Sequence, residues 1–344
     1  MRPRRPTTGG RRFGERKSPA AASRGFLGVG TMILLCLAAL TARSEEARRP
    51  FRIGVINAAY AASHPTVEGL KAGLKELGLE DGRDVTFDIR FTEGKLDAMP
   101  AAAEALVKAG VDLIFTSQEA ATQAARNATR SVPIVFTLVG DPVGAGIVGA
   151  LVEHGGNVTG VSSLQTELAA KRLEVLKTLA PAVRRVWLVH DGVDLSRTPM
   201  IAKALDAAQR MKLEIVPKGV QNPGELKAVL RDVRRGDALL APEASRPDIA
   251  IAILEESLAQ RVPAIFETAL WVGYGGLVSY GPDYYAEGTQ AATLVAKILR
   301  GARPQDLPVE GAEKIDLAVN LKTADLLGIA VPRTILLRAD AFRR

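Results

Sequence analysis

Cysteine is nearly missing from this chain: Cys36 is the single one among 344 residues. That excludes a disulfide framework and a cysteine-built zinc site. Histidine is scarce as well. His64, His154 and His190 lie far apart, and none has the H-x-x-x-H spacing of a helical metal pair. No G-x-S-x-G nucleophile elbow occurs. Aromatic residues make up only 5% of the chain. No apolar run reaches the roughly 20 residues that span a bilayer. Neither a metal, a cofactor nor a catalytic nucleophile is expected.

What the chain does have begins at its start. Arg2, Arg4, Arg5, Arg11, Arg12, Arg16, Lys17 and Arg24 precede an uncharged stretch from Gly25 to Leu40, and Ala42-Arg43-Ser44 comes next. A basic start, a short apolar core and a small-residue exit compose a secretory signal peptide, so residues 1–44 are expected to be removed on export. The mature protein is then periplasmic or otherwise exported, without stable membrane insertion. Arg11-Arg12-Phe13 has the arginine pair of a twin-arginine signal, but the residues after the pair match that pattern poorly. Cys36 reads as an ordinary apolar leader residue, because Leu35 stands where lipidation wants a small one.

The leader also carries the chain's basicity. The whole sequence is formally +7; its first 44 residues hold nine basic residues and one acidic one, which leaves 36 basic against 37 acidic in the remainder. A balance of −1 gives no support to nucleic-acid binding, and none is expected. About 300 residues without cysteine must hold together by packing, and that length usually divides into two domains.

Apolar, β-rich runs alternate with helical segments. Strands are expected at Phe51–Asn57, Val85–Phe91, Asp112–Thr116 and Pro133–Leu138, with helices at Pro65–Gly78, Leu96–Ala109 and Glu119–Thr129. A second series has strands at Val158–Ser162, Val186–His190, Leu213–Val216, Ala238–Leu240 and Ala264–Phe266. Its helices are Leu168–Leu179, Ile201–Met211, Glu225–Arg234 and Ile249–Gln260. Such alternation predicts an α/β fold of two doubly wound parallel-sheet lobes, with ligand sites outside the strand C-termini. A tail of strand Leu277–Tyr280, helix Glu287–Leu299, strand Lys314–Val319 and helix Leu321–Leu327 crosses back between the lobes.

Five segments in order carry a likeness. Pro133-Ile134-Val135-Phe136 leads to Gly140-Asp141-Pro142-Val143, and Gly155-Gly156-Asn157-Val158-Thr159-Gly160 is next. Then come Gly275-Gly276-Leu277-Val278-Ser279-Tyr280-Gly281-Pro282-Asp283, Asp306-Leu307-Pro308-Val309-Glu310 and Val319-Asn320-Leu321-Lys322-Thr323-Ala324. From Phe51 to its end the chain resembles the ABC-transporter substrate-binding family that includes the tryptophan-binding proteins of Gram-positive bacteria. The resemblance implies a type I periplasmic-binding fold: two lobes, three crossovers and a small molecule, such as an amino acid, held between them for an ABC permease. The lobes are expected at 51–160 plus 282–304 and at 161–281 plus 305–344. A ligand touching both lobes favours the closed form.

Candidate ligand contacts lie at strand ends. Thr116-Ser117-Gln118 closes the third strand, where hydroxyls and free N–H groups suit an anion; a plain N-cap role for Ser117 fits equally well. Asp141 comes after the fourth strand and suits a ligand ammonium, or else forms a turn before Pro142. Asn57 ends the first strand, and Ser162 and Ser163 lie near the first crossover. In the second lobe Glu243 and Thr268 stand just past strands. Four of five tyrosines fall between 274 and 285; of these Tyr280, together with Asp283, is preferred for the ligand, and Tyr284 and Tyr285 for hinge packing.

Two rival functions are distinguishable. One is a module of the same fold that presents its ligand to a membrane sensor. The other is a nicotinamide-dependent enzyme, suggested by Gly144-x-Gly146-x-x-Gly149. That fingerprint belongs in a first β–α turn, and here it stands after a fourth strand.

Overall fold

A computed structural model describes residues 49–58, 63–152, 155–191, 199–241 and 247–343. The expected signal peptide, His154 and Glu243 lie outside the described residues. Every described element belongs to the compact unit Pro50–Arg344.

The first sheet contains β1 (Phe51–Asn57), β2 (Val85–Phe91), β3 (Leu113–Ser117), β4 (Ile134–Val139), β5 (Val158–Ser162) and the short β11 (Glu310–Gly311). Their order is β11-β5-β4-β3-β1-β2, all parallel. Helices α1 (Pro65–Glu76), α2 (Met99–Lys108) and α3 (Glu119–Ala128) make the connections. The apolar strands divide their side chains between two cores by the two-residue period of the pleat. Ile53, Val55, Phe115 and Val135 join Val67, Leu70 and Leu74 of α1 on one face. Ile56, Ile114 and Phe136 join Leu106 of α2 and Ala121 of α3 on the other. Both faces are covered, which is why these strands read as continuous apolar runs.

The second sheet repeats the design. It contains β6 (Arg185–Asp191), β7 (Glu214–Val220), β8 (Asp237–Leu240), β9 (Ala264–Phe266), β10 (Val278–Pro282), β12 (Ile315–Asn320) and β13 (Ala341–Arg343). The order is β13-β12-β10-β9-β8-β6-β7. On one face α4 (Gln165–Leu179) and α5 (Pro199–Arg210) cover Val186, Leu188 and Ile265. On the other, α6 (Pro223–Leu230) and α7 (Pro247–Gln260) cover Trp187, Leu239 and Phe266. The expected α/β architecture is present, with β12 running antiparallel to β10 and with two short strands, β11 and β13, that were not expected.

Between the sheets the chain passes three times: after β5, after β10 and after β11. The second passage begins with the five-residue helix α8 (Ala269–Gly273) and β10, and continues as α9 (Tyr284–Leu299). α9 lies against α1 of the first layer at glycine-lined contacts. A Cβ on Gly69 would sit 2.0 Å from the Tyr285 carbonyl oxygen, and one on Gly288 would sit 2.0 Å from that of Thr66. Asp283 caps α9 by accepting hydrogen bonds from the Tyr285 and Ala286 amides at 2.9 and 3.2 Å. The start of α9 is thereby fixed to the first layer while β10 stays in the second. Two further short helices, α10 (Leu321–Leu327) and α11 (Arg333–Leu336), come after β12.

Candidate functional site

At the C-terminal end of the first sheet, buried hydroxyls form a connected chain. The His64 Nδ1 accepts from the Thr66 amide at 3.3 Å, so the 2.8 Å contact with Thr66 Oγ1 has the hydroxyl donating. Ser117 Oγ lies 3.0 Å from Thr66 Oγ1, and Thr137 Oγ1 lies 3.4 Å from Ser117 Oγ. Thr116 Oγ1 meets Thr122 Oγ1 at 2.8 Å, and Thr122 donates to the Gln118 carbonyl at 2.8 Å. Burial lowers the His64 pKa to about 4, so the ring is neutral and carries its proton on Nε2. Gln118 turns from β3 into α3 with a left-handed φ of 80°. Thr116, Ser117 and Gln118 are all buried, as is Asn57 at the end of β1.

The second sheet offers a different chemistry. Glu267 stands directly after β9 and is fully buried. Its Oε1 accepts from the Trp271 indole N–H at 2.9 Å and from the Tyr284 hydroxyl at 3.5 Å. Its Oε2 is buried and takes no hydrogen bond from another residue. Burial raises the carboxyl pKa to about 7. The residue's own backbone N–H, the indole, the Arg172 charge and the Tyr284 hydroxyl all pull in the opposite direction. Arg172, buried in α4, donates its Nε–H to the Tyr280 carbonyl at 2.7 Å. Gly281 is compulsory beside this pair, since a Cβ there would lie 1.7 Å from the Glu267 carbonyl oxygen.

Tyr284 ties the two halves together. It is the first residue of α9, and its ring stacks on His64 with centroids 6.1 Å apart. The path His64, Tyr284, Glu267 and Trp271 therefore runs from the α1 N-terminus to the end of β9. Phe266 extends the aromatic wall, 6.0 Å from Trp271.

The remaining residues singled out from sequence are distributed along the sheet ends and crossings. Thr268 is buried next to Glu267 and makes no side-chain cap to α8. Asp141 accepts the Gly144 amide at 2.8 Å within its own turn. With Ser162 it lines a cavity of about 220 Å³ beside the first and third crossings. Ser162 Oγ donates to the Gly140 carbonyl at 3.4 Å and accepts the Leu164 amide at 3.3 Å. Tyr280 packs on the second-layer core, with its carbonyl held by Arg172. Asp283 meets the Lys314 ammonium at 2.5 Å. Burial pushes its carboxyl up, but Lys314 and the α9 amides hold it below the ordinary value. The Gly144–Gly149 glycines form turns after β4, outside any first β–α turn.

His64, Thr66, Arg172 and Glu267 escaped the sequence reading. For Glu267 one signal existed, a carboxylate directly after an apolar strand. Among the described residues no cluster of three or more His, Cys, Asp and Glu side chains is placed to hold a metal ion. Among the same residues no helix is long and apolar enough to cross a membrane.

Several known proteins are similar to this chain along nearly their whole length. A tyrosine-binding protein of Clostridioides difficile is 26% identical over 307 residues, covering 87% of this chain and 88% of its own. The crystal structure of a conserved domain protein from Vibrio cholerae is 27% identical and superposes with a TM-score of 0.79, over 86% of this chain and 100% of that one. An ABC domain from Streptococcus pneumoniae, solved in complex with L-Trp, shares the fold at 24% identity with a TM-score of 0.77, over 85% and 99%. The family described as ABC transporter substrate binding protein matches residues 55–343, and the chain belongs to that family.

Proposed function

We propose that this is the exported solute-binding component of an ABC importer, and that it traps a small molecule of the amino-acid class between its two lobes. The observation that carries the reading is that buried polar groups stand at the ends of both sheets and are linked through Tyr284, which stacks on His64 and donates to Glu267. Thr66, Ser117 and Thr137 belong to one end, and Glu267 and Thr268 to the other. A solute touching both sets binds the closed form better than the open one, and that difference in affinity drives closure. The chain leaves one layer for the other near Ser162, Asp283 and Gly311, which makes those segments the hinge. Asn57, Thr116, Ser117 and Gln118 contribute from the first lobe, and Thr268 from the second. Relatives that bind tyrosine or carry L-Trp support the ligand class.

A thermal-shift screen of amino acids and related metabolites on the mature protein tests the proposal. At a ligand concentration about 100 times Kd, binding stabilises by about 2.7 kcal/mol and raises Tm. Small-angle scattering with the hit shows contraction. A broad library without any hit refutes solute binding. Loss of uptake in a deletion strain tests the importer assignment separately.

A further inference from the structure

We propose that the second oxygen of Glu267 receives the ammonium group of the solute, so that this one carboxylate selects primary amines. The inference rests on the solute-binding reading above and names the ligand head group that the site recognises. A carboxylate has acceptor sites on both oxygens, and a buried one normally fills them with donors or a cation. Glu267 is fully buried, yet its two side-chain donors from other residues are neutral groups that converge on Oε1. Oε2 is inside the protein without a hydrogen bond from another residue. A small donor-only cation complements that oxygen, and an ammonium offers three N–H groups and a positive charge.

Neighbouring groups do not supply this role themselves. His64, stacked on Tyr284 from α1, is neutral because burial holds its pKa near 4. Arg172 on α4, which with Glu267 flanks Gly281, favours the ionised carboxylate through its charge, while it directs its Nε–H to the Tyr280 carbonyl of β10 and leaves Oε2 without a hydrogen bond. Two carboxylates of the first layer are already engaged: Asp141 accepts an amide within its own turn, and the buried Glu287 of α9 accepts the Leu138 amide at 2.7 Å. Position adds a further reason. Glu267 belongs to the end of β9, whereas Tyr284 starts the helix packed on the first layer, so a cation here bears on both. Ligand charge and lobe closure are thereby coupled at one contact.

The test measures Kd by calorimetry for L-tyrosine, L-tryptophan and their des-amino analogues, hydroxyphenylpropionate and indolepropionate. Wild type should prefer the amines by about thirtyfold or more, and Glu267→Gln should abolish most of that preference. The amide oxygen of Gln keeps an acceptor for Trp271 and Tyr284. Because a proton competes with the ammonium, wild-type affinity for an amine should fall by up to about tenfold per unit as pH drops from about 7 to about 5. Should the variant not fold, that wild-type pH series decides, and a flat series overturns the inference. Equal affinity of wild type and Glu267→Gln for an amino acid also overturns it. A wild type that binds a solute without an amine refutes the ammonium role and leaves solute binding standing. One that binds nothing refutes the parent reading instead.

Discussion

The two ends of the candidate site hold polar groups in opposite ways. At the end of the first sheet, neutral hydroxyls and a neutral imidazole satisfy one another from His64 to Thr137, and the buried carboxylate nearby, Glu287, accepts the Leu138 amide at 2.7 Å. At the end of the second, one ionisable carboxylate is buried with an oxygen unanswered by other residues. A closed network is rigid and nearly indifferent to charge. An open carboxylate is costly when ionised and waits for a cation or a proton. The first end therefore acts as a preformed wall and the second as the discriminating contact.

The strongest way to break this comparison is to titrate each end alone. His64 falls from an ordinary 6.5 to about 4 on folding, so its contribution to stability is present above about pH 6.5 and is lost as pH falls through 4. Glu267 rises from 4.5 to about 7, so its contribution is present below about pH 4.5 and is lost as pH rises through 7. The two windows overlap and the signs oppose, which leaves the wild type with little net slope from this pair. Glu267→Gln removes one side. Relative to wild type it should lose up to about 3 kcal/mol as pH drops from about 7 to about 4. His64→Asn keeps an N-cap acceptor and removes the other side, so it should gain a similar amount over that range. Denaturant unfolding at several pH values, read as mutant minus wild type, cancels the other acids. Parallel curves for all three proteins would mean that neither group is perturbed.

The origin of the contrast also explains what the sequence revealed. β1, β3, β4 and β9 are readable as unbroken apolar runs because helices cover both faces of each sheet. Thr116-Ser117-Gln118 is readable as a strand end because the polar switch is local. Glu267 is not legible in the same way. Its donors Trp271 and Tyr284 come from two later helices, and Arg172 comes from a helix almost a hundred residues earlier. Nothing in their spacing announces that they meet. The antiparallel β10–β12 pair and the exposed edge strand β13 were equally hidden, since Ala341–Arg343 has no buried face to impose a pattern.

A substitution at the glycine contact sharpens the comparison by loosening the link between the ends. Gly288→Ala places a Cβ against the Thr66 carbonyl oxygen, and Thr66 is the middle of the hydroxyl chain. Alanine gains about 1 kcal/mol in helix propensity, but overpacking against backbone costs about 1–3 kcal/mol or more. The expected net is a loss of about 2 kcal/mol in chemical denaturation, together with weaker solute binding, because α9 also carries Tyr284. Unchanged stability would mean that α1 and α9 are free to move apart, and the two ends would then not be held in register.

Ser117→Ala probes the smallest term and the most telling one for the neutral wall. Ser117 Oγ lies between Thr66 and Thr137, and both of these have a second oxygen or nitrogen partner, either the Thr116 carbonyl or His64 Nδ1. Removing the hydroxyl therefore strands neither neighbour completely. The expected loss is about 1 kcal/mol, the net worth of a buried neutral hydrogen bond, and not the larger penalty of an orphaned polar group. Because no charge is involved, that loss should be the same at about pH 5 and about pH 8, where the two titrating variants differ most. A loss that grows with pH would show that the hydroxyl chain senses Glu267 through Tyr284 and His64, and the division into a neutral wall and a charged contact would then give way to a single coupled network.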